Sequence, residues 1–399
     1  MKLSVVFYTR PGYLDSAFSL LSELAKRVEI HLIVECAPEG QGIGAFPLPG
    51  NVLPAGLAPS EALPDWLPPA VQARLQGLAS FSLAVFTPRR AFHPSNLATC
   101  WRVARFIRSI CPELLHFDEA SSRAVALPYL LRDLPLVLST HDNQPHLGEA
   151  GGRFGLVRRF FLRRTRAVIF HSHYCQETFP GLTEMTSRGV QTAVIPLGVY
   201  DVFNDVAPGP IATIEPEPPT ALFFGRISPY KGIEVLLAAA PLVAQRVPGF
   251  RLIIAGAPIP GYQVPESSNL QNGGSIECRL ERIRSEEVPT LFGRSSIVVL
   301  PYLEATQSGV ISTAYAFLKP VVATTAGGLP EMVHDGITGR LVPPRDHTAL
   351  AAAMVELLLD NRKLQQMSEA IWKKRRSEWS WQRLSSETVD VYRRAIANR

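Results

Sequence analysis

The chain has 399 residues, 46% hydrophobic and 19% charged, which is too much for one ordinary core and suits two globular domains. Its formal charge of +5 is too small to argue for nucleic acid, though local basic clusters suit anionic small molecules or surfaces. No apolar run reaches the roughly eighteen residues of a membrane span, and the five cysteines (Cys36, Cys100, Cys111, Cys175, Cys278) lie singly, without zinc or disulfide-framework spacing.

The N-terminus, "MKLSVVFYTRPGYL", lacks the apolar core and cleavage site of a signal peptide, so a cytosolic chain with reduced thiols is expected. "LSVVFY" reads as a strand, residues 14–27 as a helix and "VEIHLIVE" as the next strand. Residues 47–69, rich in Pro, Gly and Ala, are expected to form an irregular loop. The strand signal returns at "ELLHF", "LPLVLST", "AVIFHS" and "TAVIPLG", alternating with helical patterns as in a parallel sheet of β-α-β units. Between two of these strands, "GGRFGLVRRFFLRRTRAVIF" carries six arginines and no acid. Such a helix either rests on an anionic membrane face or buries its phenylalanines and solvates its arginines.

Residues 204–220 hold five prolines and no periodicity, which is linker composition. Beyond them the alternation restarts at "TALFFGRI", "FRLIIAGA", "IECRL", "SIVVLPY", "PVVATT" and "GRLVPP". The predicted organisation is a first domain over 1–203, a linker over 204–219, a second domain over 220–377 and a terminal helix over 378–399. That last helix has Leu384, Val391, Tyr392 and Ala395 on one face, which needs a partner, and Ser380 stands where a cap would.

In open α/β sheets ligands sit at the carboxyl ends of the strands. The second domain places unusual residues there: Arg226 and Lys231 after "ALFF", then Glu304, Thr306, Gln307, Ser308 and Gly309 after "SIVVLPYLE", then Gly327, Gly328 and Glu331. A helix opened by "TQSG" offers free backbone N–H groups to phosphate. Arg226 and Lys231 add two charges, and no Asp-x-Asp pair occurs, so a diphosphate neutralised without a metal is the consistent reading. Taken singly, Arg226 and Lys231 are as compatible with pairing to Glu234 or with solvent; their joint occurrence with "TQSG" at successive strand ends favours the anion.

The succession "FFGRISPYKGIEVLL", "RLIIAGA" and "VVLPYLEATQSGVISTAYAFLKPVVATTAGGLPEMVHDGITGRLVPP" resembles the donor domain of the family 4 retaining glycosyltransferases, of the bacterial glycan or exopolysaccharide type. "VVLSTHDNQPH", "VIFHSHY", "VIPLGVYDVF" and "WSWQRLSSETVDVYRRA" extend the resemblance over essentially the whole chain. It implies the GT-B fold: two Rossmann-like domains facing across a cleft, with the terminal helix crossing back to the first. It also implies that Arg226 and Lys231 hold a donor diphosphate, that His141 lies near the transferred sugar, and that Gly12 belongs to a loop approaching the donor.

One departure stands out, because the family usually carries a second glutamate eight residues after the one matched by Glu304. Here that place falls on Ser312 or, by the alternative alignment, on Thr313. The expected activity is metal-independent, cofactor-free transfer of a hexose from a nucleoside diphosphate sugar to a glycan, lipid-linked or small-molecule acceptor. The expected location is the cytoplasm, at the inner membrane face if the basic helix meets lipid. The alternative is a catalytically silent sugar-nucleotide-binding subunit that serves another glycosyltransferase.

Overall fold

The computed structural model describes residues 2–38, 44–46, 48, 53–59, 67–88, 90–143, 154–207, 218–265 and 270–397. The chain divides into two compact units, the first running to Gly198 and taking in the terminal segment from Trp381, the second spanning Val199–Ser380.

The first unit is an eight-stranded sheet of β1 (Ser4–Thr9), β2 (Glu29–Cys36), β3 (Gly56–Pro59), β4 (Ser80–Val85), β5 (Leu114–Phe117), β6 (Leu136–Thr140), β7 (Thr165–Phe170) and β8 (Gln191–Val194). Their spatial order is β3-β4-β2-β1-β5-β6-β7-β8. Among the described strands of this sheet, β3 alone runs antiparallel, beside β4. β1, β5 and β6 are buried along their whole length, as strands covered on both faces must be. Val6, Tyr8, Leu115 and Leu138 pack on one face against Val103, Ile107, Leu127, Val157 and Phe161 of three helices, Ser95–Ser109, Leu127–Leu130 and Phe154–Leu162. Alternation sends Phe7 and His116 to the other face, where His116 Nδ1 lies 2.6 Å from the hydroxyl of Tyr392 on the terminal helix Trp381–Ala397. Leu384, Val391, Tyr392 and Ala395 are thereby buried, and Arg27 ties the helix down by donating to Ser385 Oγ at 3.1 Å and the Gln382 carbonyl at 3.0 Å.

The second unit is a six-stranded, wholly parallel sheet of β9 (Thr220–Phe224), β10 (Arg251–Ala255), β11 (Ser275–Arg279), β12 (Ile297–Leu300), β13 (Val321–Thr324) and β14 (Gly339–Val342), ordered β11-β10-β9-β12-β13-β14. Ile233, Leu236 and Ala240 of the Ile233–Arg246 helix and Leu350, Met354 and Leu357 of the His347–Leu358 helix cover Phe223, Ile254, Val299 and Val322. Both units are Rossmann-like, as expected. In each, the chain leaves one central strand and continues on its other side, so β1/β5 and β9/β12 are switch points where loops diverge and leave room for a ligand.

Two features differ from the sequence reading. Within residues 47–69, expected to be wholly irregular, Gly56–Pro59 forms the edge strand β3; residues 47, 49–52 and 60–66 lie outside the described residues. β4 escaped notice because Ser80 and Ser82 dilute its apolar signal, although Ser82 is buried. Of the linker, residues 208–217 lie outside the described residues.

Near the second sheet, Leu318 takes a left-handed φ of 57° as the chain turns toward β13, and Lys319 follows it into the interior. No acidic partner meets Lys319 among the described residues, and burial lowers its pKa from 10.5 to about 8. Between those two pH values the unfolded chain binds more protons than the folded one, so stability contributed at this site rises with pH across that window. Lys319→Met is expected to stabilise the protein at neutral pH by up to about 3 kcal/mol and to flatten that rise. Urea titrations of both proteins from neutral pH to pH 10 check this, and parallel pH slopes would remove the assignment.

Candidate active site

In the second unit, the turn after β9 is shaped by what lies against it. Gly232 ends the 3-10 turn Pro229–Lys231 at φ 64°, and a Cβ there would fall 2.1 Å from the Pro301 carbonyl oxygen. Only glycine lets this turn press onto the end of β12. Lys231 is thereby carried inside, 6% exposed, with Nζ donating to the Tyr302 hydroxyl at 3.0 Å and lying 4.9 Å from that ring's centre. Burial works against its charge, yet Tyr302 and Tyr230 outweigh burial and the pKa is raised. The group is an ammonium at neutral pH with no carboxylate beside it among the described residues.

Glu234, the partner that would have neutralised either base, instead accepts from the Tyr262 hydroxyl. Arg226 is exposed on the same loop. In the same turn the Ser228 hydroxyl is fully buried, Gln307 Oε1 is buried as well, and neither has a hydrogen-bond partner among the described residues. Such orphaned polar atoms are costly unless a ligand or water meets them.

Across the switch point, the Gly309–Ala316 helix opens with Ser308, whose backbone N–H meets Met332 Sδ at 3.3 Å and whose side chain makes no cap bond. The N–H groups of Gly309 and Val310 have no acceptor among the described residues. Gly309 packs on Tyr200, whose Cε2 would be 2.8 Å from an added Cβ. Thr306 and Ser308 are buried, Gln307 is half-buried, and Glu304 is exposed. Thr313 turns its hydroxyl to the Gly309 carbonyl at 2.9 Å, while Ser312 Oγ is buried without a partner among the described residues.

The first unit gathers a second constellation at its β1/β5 switch point, most of it missed from sequence. Thr9 at the end of β1 donates to Asp118 Oδ2 at 2.8 Å, and Asp118 Oδ1 lies 3.0 Å from His141 Nε2 just after β6. The backbone N–H of His141 donates to Glu119 Oε2 at 3.0 Å. Glu119 is 3.4 Å from Arg158. Tyr13 stacks on the His141 ring with centroids 4.0 Å apart, and His171 lies 4.6 Å away after β7. Gly12 is exposed in the turn that carries Tyr13. Burial alone would discharge His141, but Asp118 outweighs it and the pKa is raised; burial and neighbouring His141 push His171 and His116 each down to about 3.

Arg158 departs from the reading of the basic helix as a solvated or lipid-facing arginine face, whereas Arg159 and Arg163 are exposed. It is buried, donating to the Asn143 carbonyl at 2.6 Å and to the Asp142 carbonyl. Its role is to hold the His141 loop. Residues 151–153 lie outside the described residues. The signal that could have exposed this cluster is the acid pair Asp118 and Glu119 directly after the buried strand β5.

The sequence matches two known families in succession: the glycosyl transferase 4-like domain over residues 15–198 and glycosyl transferases group 1 over residues 218–360. It is 27% identical over 300 residues to the glycogen synthase of Mycobacterium tuberculosis, covering 71% of this chain and 69% of that protein. It is 26% identical over 325 residues to the GDP-mannose-dependent alpha-(1-6)-phosphatidylinositol monomannoside mannosyltransferase of the same organism, covering 73% and 78%. The fold matches that of Anabaena HepE, solved with UDP and glucose, with a TM-score of 0.67, 18% identity and coverage of 98% of this chain and 99% of that one.

Proposed function

The chain belongs to the group 1 glycosyltransferases of the GT-B fold, and from that premise we propose that it moves a hexose, with retention at the anomeric carbon and without a metal at the diphosphate, from a nucleoside diphosphate sugar to a glycan, lipid-linked or small-molecule acceptor. The observation that carries this reading is Lys231, an ammonium buried at the β9/β12 switch point with a phenol and, among the described residues, no carboxylate for company. An anion is the partner such a site calls for. Arg226 supplies a second charge, the free N–H groups at Gly309 and Val310 a third contact, and Thr306, Gln307 and Ser308 line the approach. Negative charge that builds on the departing diphosphate is stabilised by these groups, and a phosphate oxygen can take the acceptor's proton as it attacks from the same side.

The first unit contributes His141, whose ring is fixed by Asp118 and Tyr13, to the transferred sugar. Gly12 and Glu304 are assigned to the sugar end of the donor, and Thr313 to its nucleotide end. HepE was solved with UDP and glucose and the mannosyltransferase relative is GDP-mannose-dependent, so UDP-glucose and GDP-mannose are the first donors to try. Purified protein given each radiolabelled donor is expected to transfer the sugar, with the anomeric configuration of the product read by NMR. A silent binding subunit, the reading favoured by Ser312 and Thr313 where a second carboxylate is usual, predicts a nucleotide-dependent rise in melting temperature without turnover.

The same unit carries a surface suited to an anionic bilayer. Leu97 and Trp101 of the Ser95–Ser109 helix, Tyr129, and Leu156 and Phe160 of the Phe154–Leu162 helix are all exposed, with exposed Arg105, Arg159 and Arg163 among them. Tyr129 and Phe160 join the neighbouring helices through a 3.1 Å hydrogen bond. Each arginine is worth about 1 kcal/mol at a charged membrane, so replacing these three by Gln should lower pelleting with phosphatidylglycerol vesicles about a hundredfold. Unmodified protein that stays in the supernatant would remove the membrane from the assignment.

A further inference from the structure

The three groups Asp118, His141 and His171 each present one ligand atom, and these atoms all lie within 4.8 Å of one another. Their surroundings hold them as ligands are held. Asp118 has its other oxygen fixed by Thr9 at 2.8 Å, and His141 has its backbone anchored on Glu119. The His171 Nδ1 atom is 2.9 Å from the Ile195 carbonyl, so that nitrogen is the donor and Nε2 keeps its lone pair. That Nε2 atom is buried and has no hydrogen-bond partner among the described residues. A ring held through one nitrogen by a carbonyl, with the other bare, is the usual arrangement of a metal-binding histidine.

We propose that Asp118, His141 and His171 form a binding site for one divalent transition ion of the zinc class. The ion would take the place of the proton shared between His141 Nε2 and Asp118 Oδ1, which leaves to solvent, and His171 would close in to complete the set. Two imidazoles and one carboxylate select zinc, cobalt or nickel over magnesium and calcium, which prefer all-oxygen sites. All three residues belong to the first unit, whereas the groups assigned to the diphosphate belong to the second. If His141 serves transfer as read above, the bound ion occupies its nitrogen and zinc acts as an inhibitor.

The test needs no donor and no turnover, so it stands or falls apart from the transferase reading. Chelator-treated protein is titrated with ZnCl2 by calorimetry and with CoCl2 by visible absorption. Stoichiometric binding is expected, with the intense d–d bands of a four- or five-coordinate cobalt site. His171→Ala should weaken zinc binding at least about a hundredfold, and Thr9→Val about tenfold. Equal zinc affinity in His171→Ala would assign the ion to surface groups and overturn the proposal. So would a cobalt spectrum of the unmodified protein that stays that of the hydrated ion, whatever the variants do.

Discussion

Lys231→Ala is expected to weaken nucleoside diphosphate binding about ten- to a hundredfold, since a charge-assisted hydrogen bond contributes roughly 1.5 to 3 kcal/mol. Turnover at saturating donor should fall further, because the diphosphate gains negative charge as the anomeric bond breaks and the ammonium matters most at that moment. Added magnesium or manganese should rescue neither loss. Arg226→Ala should act in the same direction with a smaller effect on affinity, since Arg226 is exposed and its field is screened by water, whereas Lys231 is enclosed. Nucleoside affinity should hardly change in either. A structural role for Lys231 makes a different forecast: losing its bond to Tyr302 would lower the melting temperature and leave diphosphate affinity intact. Calorimetric titration with UDP and GDP, beside thermal melts, separates the two.

What the sequence disclosed and what it withheld divide along physical lines. Parallel β-α-β units were legible because buried strands such as "VVLP" and "LVLST" are continuous apolar runs, and because "FFGRISPYKG" concentrates glycine and base at a strand end. Arg226, Lys231 and the "TQSG" helix start could be named in advance because the residues lie within single loops. The cluster around His141 could not, because Thr9, Tyr13, Asp118, Arg158 and His171 come from the ends of three strands and a helix that only the sheet order brings together. Arg158 shows the same limit from the other side. Its place in an arginine-rich run spoke for solvent, and nothing local revealed that Glu119 and two carbonyls wait for it inside. Tyr302 went unnamed within "SIVVLPYLE", although its hydroxyl is the polar contact that holds the Lys231 ammonium in place.

His141→Ala is expected to cut sugar transfer at least about a hundredfold while leaving nucleoside diphosphate affinity within a few-fold of its original value. The contacts that decide this are those to the diphosphate. All those assigned belong to the second unit, whereas His141 belongs to the first and is bonded there through both its ring and its backbone. Alanine keeps the backbone N–H that meets Glu119 but leaves Asp118 Oδ1 buried without its partner, a cost of about 1 to 3 kcal/mol in stability. A fall in melting temperature is therefore expected as well and must be separated from the loss of chemistry. His141→Gln does so, because its amide N–H can still donate to Asp118. It should recover most of the stability and little of the turnover, since an amide neither carries the imidazolium charge nor stacks on Tyr13 as the ring does. Recovery of transfer in step with stability would reassign His141 from the reaction to the support of its loop, and equal losses of diphosphate affinity and transfer in His141→Ala would do the same.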